Sequence, residues 1–426
     1  MSEATGQRLG REFGLILAGR SLSGLGGYVQ YLAIPLWIRQ STGSTSAGLM
    51  AFAALFLTQI VFTPVAGVIA DRFDPRRVVI AADLGGFLVA GSLATTVGSD
   101  HLGWVYPHLI AQNVLSALAL PAFMSLLPDV VPANRLLAAN SLVTASGNGA
   151  VLLGPLLGTA LLAHSSIATV VWLNAATFLV AAVCMAPRRG SSPRPPRSTA
   201  AAGGWSDVRE GIGAVRTDPV LRWTMAAEAP WYLFFGAATE LVLLHFGAAP
   251  ATGAPGLFGL GAGAGCLVVT LALARVRRDP APAVLFRAAV LVTAPVALAA
   301  AWSAGSANAG AFVVVTGVLL GVHGYLTTVG PSMQCQQRAE PGYRGRVTAV
   351  RRTWKALWQF AGVAAAGLAA HWIPPLTVVA AGGVLATATA APWAWRALRA
   401  DTRPPAPAEA GTPVEPAAGP VREPAR

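Results

Sequence analysis

Charge is what this chain has least of. Only 11% of its 426 residues are Asp, Glu, Lys or Arg, against about 25% in a soluble domain, and that deficit excludes an ordinary water-exposed surface. Lysine is nearly absent: Lys355 is the one lysine among 30 basic residues. Cysteine is equally sparse. Cys184, Cys266 and Cys335 stand singly in apolar runs, which excludes a disulfide framework and a cysteine metal site. No His-x-x-x-His pair or Cys/His group occurs, so neither a metal centre, a cofactor nor the clustered acid, base and nucleophile of an intramembrane enzyme is expected. The first apolar run is longer than a signal-peptide core, so no cleavable leader is expected.

What is present is apolar: 54% of residues are hydrophobic and mean hydropathy is +0.57. Twelve stretches reach the roughly 20 residues that cross a bilayer as a helix. They lie near 14–38, 46–70, 78–98, 103–128, 138–163, 166–186, 219–247, 254–275, 283–303, 308–333, 346–371 and 374–397. The expected fold is an all-α membrane protein of 12 transmembrane helices in two six-helix pseudo-symmetric bundles. The divisions are a cytoplasmic N-terminus 1–13, a first bundle 14–186, a linker 187–218, a second bundle 219–398 and a tail 399–426.

The formal charge of +12 invites a nucleic-acid reading, but its location argues otherwise. With both termini on one side, 28 of the 30 basic residues fall on that side; Arg39 is opposite and Arg20 is within a span. The positive-inside rule then places the termini in the cytoplasm of a cell-membrane protein, with the bilayer as partner and no nucleic acid. Pro187 to Gly204 reads as a disordered linker. Trp205 to Thr217 has helical spacing for a short interfacial helix, and Asp218-Pro219 supplies an N-cap and first-turn proline for the seventh segment. The halves echo each other: Pro132 to Arg135 answers Pro341 to Arg344, and Gly158 answers Gly367 at the same offset.

Charges inside spans are costly and default to functional candidates. Glu228, about 13 Å into the seventh segment, is a candidate for protonation or for a cationic substrate, or else pairs with Arg222 or another arginine. Glu240 is expected near the outer boundary. Arg20 would pair with Asp83 or Glu12. His323 in the tenth segment, with Thr327 one turn on, reads as a proton relay or a hydrogen-bonded structural histidine. His108, Gln112 and Ser116 share a helix face at i, i+4, i+8 and are candidates to line a cavity. Trp104, Trp172, Trp372, Trp393 and Trp395 read as interfacial aromatics.

Between the second and third segments runs Gly67-Val-Ile-Ala-Asp-Arg-Phe-Asp-Pro-Arg-Arg77. It resembles the Gly-x-x-x-Asp-Arg-x-x-Arg-Arg signature of the major facilitator superfamily. Other residues carry the same resemblance: Ala33-Ile-Pro-Leu36, Ser41-Thr-Gly43, Ala82-Asp83, Pro128-Asp129 through Asn140, Gly154-Pro-Leu-Leu-Gly158 and Arg344-Gly-Arg-Val347. Over roughly residues 12–398 the chain is similar to the enterobactin-exporter and macrolide-efflux branch. Three departures stand out: Gly26-Gly27 where many relatives carry an acid, Gly85-Gly86 where many carry an arginine, and no arginine in the fourth segment.

The resemblance implies a cytoplasmic gate. Gly67 would permit close helix approach, Asp71 would sit on the start of the eleventh helix at Arg344 and Arg346, and Arg72, Arg76 or Arg77 would pair with Asp129. Gly154, Pro155 and Gly158 would form a small-faced helix at the interface of the halves, or simply pack as membrane helices do. It also implies that Tyr28, Tyr31, Trp231, Tyr232 and Tyr325 line a central cavity. The implied function is proton-coupled export of a mid-sized amphipathic drug, antibiotic or siderophore-like compound by a monomer. An importer of the same fold and a transport-inactive scaffold or sensor remain open at this point.

Overall fold

In the computed structural model, residues 10–97, 102–186, 205–246, 254–275, 282–305, 309–340 and 343–401 are described. Side chains at several helical positions, 63–72 and 205–208 among them, lie outside that description. The described residues form helices and turns, with no β-strand. The first half contains α1 (Arg11–Thr42), α2 (Thr45–Arg72), α3 (Pro75–Thr96), α4 (Val105–Val130), α5 (Leu136–His164) and α6 (Ile167–Met185). After α7 (Trp205–Thr217) come α8 (Pro219–Phe235), α9 (Ala238–Phe246), α10 (Ala254–Arg275), α11 (Pro282–Leu291), α12 (Thr293–Gly305), α13 (Ala309–Arg338), α14 (Arg344–Ala369) and α15 (Pro375–Asp401).

Local chemistry sets the boundaries. Gly43 ends α1 in the left-handed region at φ 70°, which costs a residue without Cβ little. Pro75 opens α3 in its first turn, and Asp74 caps that helix by accepting from Arg77 N at 2.9 Å. Asp218 caps α8 as expected, accepting from Val220 N at 2.7 Å and Leu221 N at 3.0 Å. The seventh apolar segment is broken at Gly236–Ala237 into α8 and α9, and the ninth bends by 46° between α11 and α12.

Among the described residues eight helical stretches are long and apolar enough to cross a membrane, or nine with the bent pair as one span. The other three long helices, α1, α5 and α14, have 32, 29 and 26 residues. They match the spans in length but fall outside that set; α14 opens with Arg344, Arg346, Arg351, Arg352 and Lys355. Twelve spans is therefore what the helix lengths allow, and eight or nine is what apolarity alone supports. Large apolar side chains stand exposed around the bundle, among them Leu88, Val183 and Trp302, as a lipid-facing surface requires.

Within the first half α1 packs on α5 and α6, and α3 on α4 and α6; within the second, α8 packs on α15 and α14, and α10 on α13. The halves meet along α2 with α14 and α5 with α10. One apolar cluster joins Leu32, Leu49, Phe52 and Phe56 of the first half to Trp231, Leu241, Leu244 and Val363 of the second. At one end the starts of α1 and α3 meet the end of α6, through Arg76 with Glu12 and with the Met185 carbonyl. The starts of α8 and the ends of α13 and α15 meet through Arg338, held by Asp218 and Asp401.

Glycines fix the helix distances. A Cβ on Gly154 would lie 2.3 Å from Tyr28 Cβ, and one on Gly158 would lie 2.4 Å from the Val29 carbonyl oxygen. Both glycines thus face α1 inside the first half, which matches ordinary helix packing of the two readings open for this motif; α5 also meets α10 of the other half. In the second half it is Gly362 that repeats this arrangement, 2.3 Å from the Tyr232 carbonyl oxygen by the same measure. Gly367, the position expected from the echo, instead faces Leu49 of α2.

Candidate functional site

Two parallel helices of the second half, α8 and α14, pack side by side and place polar residues at i and i+4 on facing surfaces. Glu228 and Tyr232 project from α8; Arg351 and Lys355 project from α14. Arg351 Nη2 donates to Glu228 Oε1 at 2.7 Å and Nε donates at 3.1 Å, a forked pair. Glu228 is fully buried and Arg351 is 6% exposed. Such a pair is specified by geometry more than it stabilises, because desolvation offsets much of the attraction. The alternative partner Arg222 lies elsewhere, its guanidinium over Trp223.

One turn along, Lys355 Nζ lies 5.4 Å from the centroid of the Tyr232 ring, within cation–π range. Among the described residues it has no hydrogen bond or ion pair. From sequence Arg351 and Lys355 count among the basic residues of the cytoplasmic side, at the start of the eleventh segment; both are drawn into the bundle, because each lies on the face of α14 that packs on α8. Their i, i+4 spacing, which puts both on one helix face, was the available signal.

Glu240 is 8% exposed, because the break at Gly236–Ala237 starts a new helix, α9, that packs against α1 and α2. Tyr31 of α1 donates to Glu240 Oε1 at 3.5 Å, a link from one half to the other, while Oε2 is buried without a partner. Tyr31 in turn meets Tyr28 and Phe52 edge-on. A second link, Ser46 Oγ to the Gly367 carbonyl at 2.6 Å, joins α2 to the end of α14. Both links lie toward the ends of the helices opposite the Arg76 and Arg338 ion pairs.

His323 is buried between the Trp231 and Phe235 rings. Its Nε2 lies 2.8 Å from Thr293 Oγ1 and 3.1 Å from the Ala289 carbonyl, and Trp231 Nε1 donates to the same Thr293 hydroxyl at 3.1 Å. Thr327 donates back to the His323 carbonyl. Of the two readings open for His323, the hydrogen-bonded structural one matches this geometry, and Trp231 belongs to the same packing instead of a cavity wall. Tyr232 is likewise buried, and Tyr325 is half-buried.

In the first half Arg20 pairs with Asp83 at 2.8 Å, and Asp83 is 1% exposed. The α4 face divides. Gln112 is buried and accepts from Gln30 at 2.6 Å, and Gln30 accepts from Asn174 at 2.6 Å. Ser116 is exposed, and His108 binds the Trp104 carbonyl and Ser92 at the helix start. Gln30 and Asn174 went unremarked in the sequence. This amide network accounts for one glycine of the Gly26-Gly27 departure: a Cβ on Gly26 would lie 2.6 Å from Asn174 Oδ1 and 2.4 Å from Thr177 Oγ1, whereas one on Gly27 would meet nothing within 4 Å. Gly86 similarly faces Phe178 at 3.0 Å. Gly26 and Gly86 make room for α6.

The gate residues divide as well. The side chains of Gly67's neighbours Asp71 and Arg72, and those of Pro155 and Arg344, lie outside the described residues. Arg76, one of the arginines expected on Asp129, is turned to Glu12 and the end of α6, because the first turn of α3 faces those elements. Arg77 is exposed. Arg346 is bound by Glu210 of α7 at 2.5 Å, where a Cβ on Gly211 would lie 3.0 Å from the Arg346 carbonyl. Among the described residues no group of His, Cys, Asp and Glu suits a metal ion.

The model of the Major Facilitator Superfamily matches residues 16–363. An uncharacterized MFS-type transporter, YfiS of Bacillus subtilis, is 27% identical over 371 residues, 84% of this chain and 86% of its own. Macrolide efflux protein A of Streptococcus pyogenes is 32% identical over 29% of this chain and 31% of its own. The multidrug efflux pump Tap of Mycobacterium tuberculosis is 29% identical over 49% and 52%. Among solved structures, the POT family transporter PepTSo superposes with a TM-score of 0.73 at 14% identity, covering 93% of this chain and all of that one. With helices arranged in this way and a family model matched along most of its length, the chain is a multi-pass membrane transporter that belongs to the Major Facilitator Superfamily.

Proposed function

We propose that this transporter exports a mid-sized amphipathic compound by alternating access, driven by the proton gradient. The observation that carries the reading is the buried polar ladder of Glu228, Arg351, Lys355 and Glu240, with Tyr31 reaching Glu240 from the other half. Glu228 and Arg351 are the fixed pair. Glu240 and Lys355, which have no ion pair among the described residues, are the exchangeable charges. When Glu240 gains a proton, its attraction for Lys355 and for a cationic group on a substrate is lost. Breaking its link to Tyr31 then frees the halves to part at that end. The efflux relatives favour export over import, and the basic residues at the loops of one side favour cytoplasmic termini in a cell membrane.

The gate at the charged end belongs to the same proposal. Asp71 would act at the start of α14, where the helix's positive end favours an anion by about 0.3–1 kcal/mol when exposed. That magnitude biases a two-state equilibrium without locking it.

The test is efflux from cells overexpressing the protein, across a panel of macrolides, dyes and lipophilic cations. Lower retention of at least one compound, abolished by an uncoupler, is expected; in the same assay Asp71→Asn should accumulate normally and slow efflux several-fold. Increased uptake, or efflux untouched by the uncoupler, contradicts the export and coupling readings respectively.

A further inference from the structure

The second half carries a cationic aromatic patch that neither the buried ladder nor the gate uses. At the start of α8 and the end of α15, Trp223 and Trp393 stack with ring centroids 5.4 Å apart and planes inclined by 18°. Two exposed guanidinium groups lie over this stack: Arg222 at 4.7 Å from the Trp223 centroid and Arg396 at 4.8 Å from that of Trp393. On the other side of α15, Arg287 of α11 lies 3.6 Å from the Trp395 centroid, and Arg399 lies 5.2 Å from it. Arg287 Nε is buried without a hydrogen-bond partner.

The acids nearest the patch are engaged elsewhere. Asp218, which caps α8, and Asp401, which closes α15, are both bound by Arg338. Among the described residues Arg222, Arg287 and Arg396 form no ion pair. Stacking on an indole fixes the plane of a guanidinium and leaves its edge donors free, the arrangement that suits bidentate contact with a phosphate. Tryptophan itself favours the headgroup level of a bilayer. All of these residues sit at the helix ends that carry the basic loops.

We propose that this surface is a binding site for the phosphate groups of anionic phospholipids, with one subsite at Trp223, Trp393 and Arg396 and another at Trp395 and Arg287. The acyl chains would lie along the apolar outer faces of α8, α11 and α15. The site ties the second half to the anionic leaflet at that end. It stands independently of the export reading, since it concerns the lipid-facing surface alone.

The purified protein, titrated in detergent and read by native mass spectrometry, tests this with three probes: phosphatidylglycerol, phosphatidylcholine of the same chains, and inorganic phosphate. Phosphatidylglycerol should bind more tightly than phosphatidylcholine, with free phosphate unable to displace it at equal concentration. Each arginine removed near a membrane surface weakens such binding by roughly fivefold. Arg287→Gln with Arg396→Gln should therefore raise the dissociation constant by about 25-fold. The exposed α7 control, Arg209→Gln with Arg216→Gln, should change it by less than about twofold, as charges outside the site. The Arg→Lys pair at 287 and 396 guards against a folding defect and should fall between, since it keeps charge and loses the stacked fork. Equal binding of the two lipids, equal loss in patch and control variants, or displacement by free phosphate would overturn the proposal.

Discussion

Arg351→Ala is expected to cost about 3–5 kcal/mol of stability, because it leaves the carboxylate of Glu228 buried and unpaired. Glu228 is fully buried, and among the described residues its side-chain hydrogen bonds come from this one guanidinium. Thermal unfolding in detergent should show a much lower midpoint, with reduced accumulation in the membrane. Replacing both residues together, Glu228→Leu with Arg351→Leu, should restore most of the stability, since apolar pairs of similar volume are often as stable as buried ions. The double variant should nonetheless transport poorly, because the ladder then holds Lys355 and Glu240 without their charged neighbours. A single variant as stable as the parent would mean that water or another cation reaches Glu228.

The second large effect concerns spacing instead of charge. Gly158→Val should lower stability by about 3 kcal/mol, at the upper end of ordinary overpacking. The Cβ would meet the Val29 carbonyl oxygen at 2.4 Å, and backbone cannot rotate out of the way as a side chain can. The α1 and α5 helices must separate, which also disturbs Tyr31 two residues along α1. Gly149→Ala on the same helix, with nothing within 4 Å of its Cβ, should be neutral or gain up to about 1 kcal/mol from the removed glycine. Similar unfolding midpoints for the two variants would show that α1 and α5 are not in close contact.

Much of the frame was legible in the chain. Apolar stretches of bilayer length, arginines at one set of loops, and Asp-Pro at 74–75 and 218–219 are local signals, and the helices begin where those signals say. The Arg20 and Asp83 pair was among the readings open from sequence, because both charges sit in spans where few partners exist. The ladder was not legible to the same degree. Arg351 lies seven residues into α14, about 10 Å from its start, a depth at which arginine commonly snorkels outward. Only the parallel packing of α8 on α14 turns it inward, and that neighbour relation is not written in either segment. The burial of Glu240 was hidden for a related reason: a straight helix extrapolated from Glu228 ignores the break at Gly236–Ala237. Gly26-Gly27 and Gly85-Gly86 read as departures from the family pattern; at Gly26 and Gly86 the neighbours Asn174, Thr177 and Phe178 occupy the space a side chain would need, while Gly27 has no such neighbour.

In the proposed cycle the ladder would separate two jobs that a single buried charge pair could not perform. The forked Glu228–Arg351 contact holds two helices of the second half in register, and opening it is costly because each charge would be left buried without its partner. The Tyr31–Glu240 contact is longer, 3.5 Å, and crosses between bundles. A weak hydrogen bond across a moving interface is the kind of contact whose gain or loss, on the order of 1 kcal/mol, shifts a conformational equilibrium.

The most direct test of the coupling claim reconstitutes the parent protein and Glu240→Gln in vesicles and imposes a pH gradient on a substrate identified in the efflux panel. The account predicts that the parent concentrates the substrate against its gradient, while Glu240→Gln only equilibrates it, with exchange of substrate across the membrane retained. Gradient-driven accumulation by Glu240→Gln at the parent's rate would contradict it.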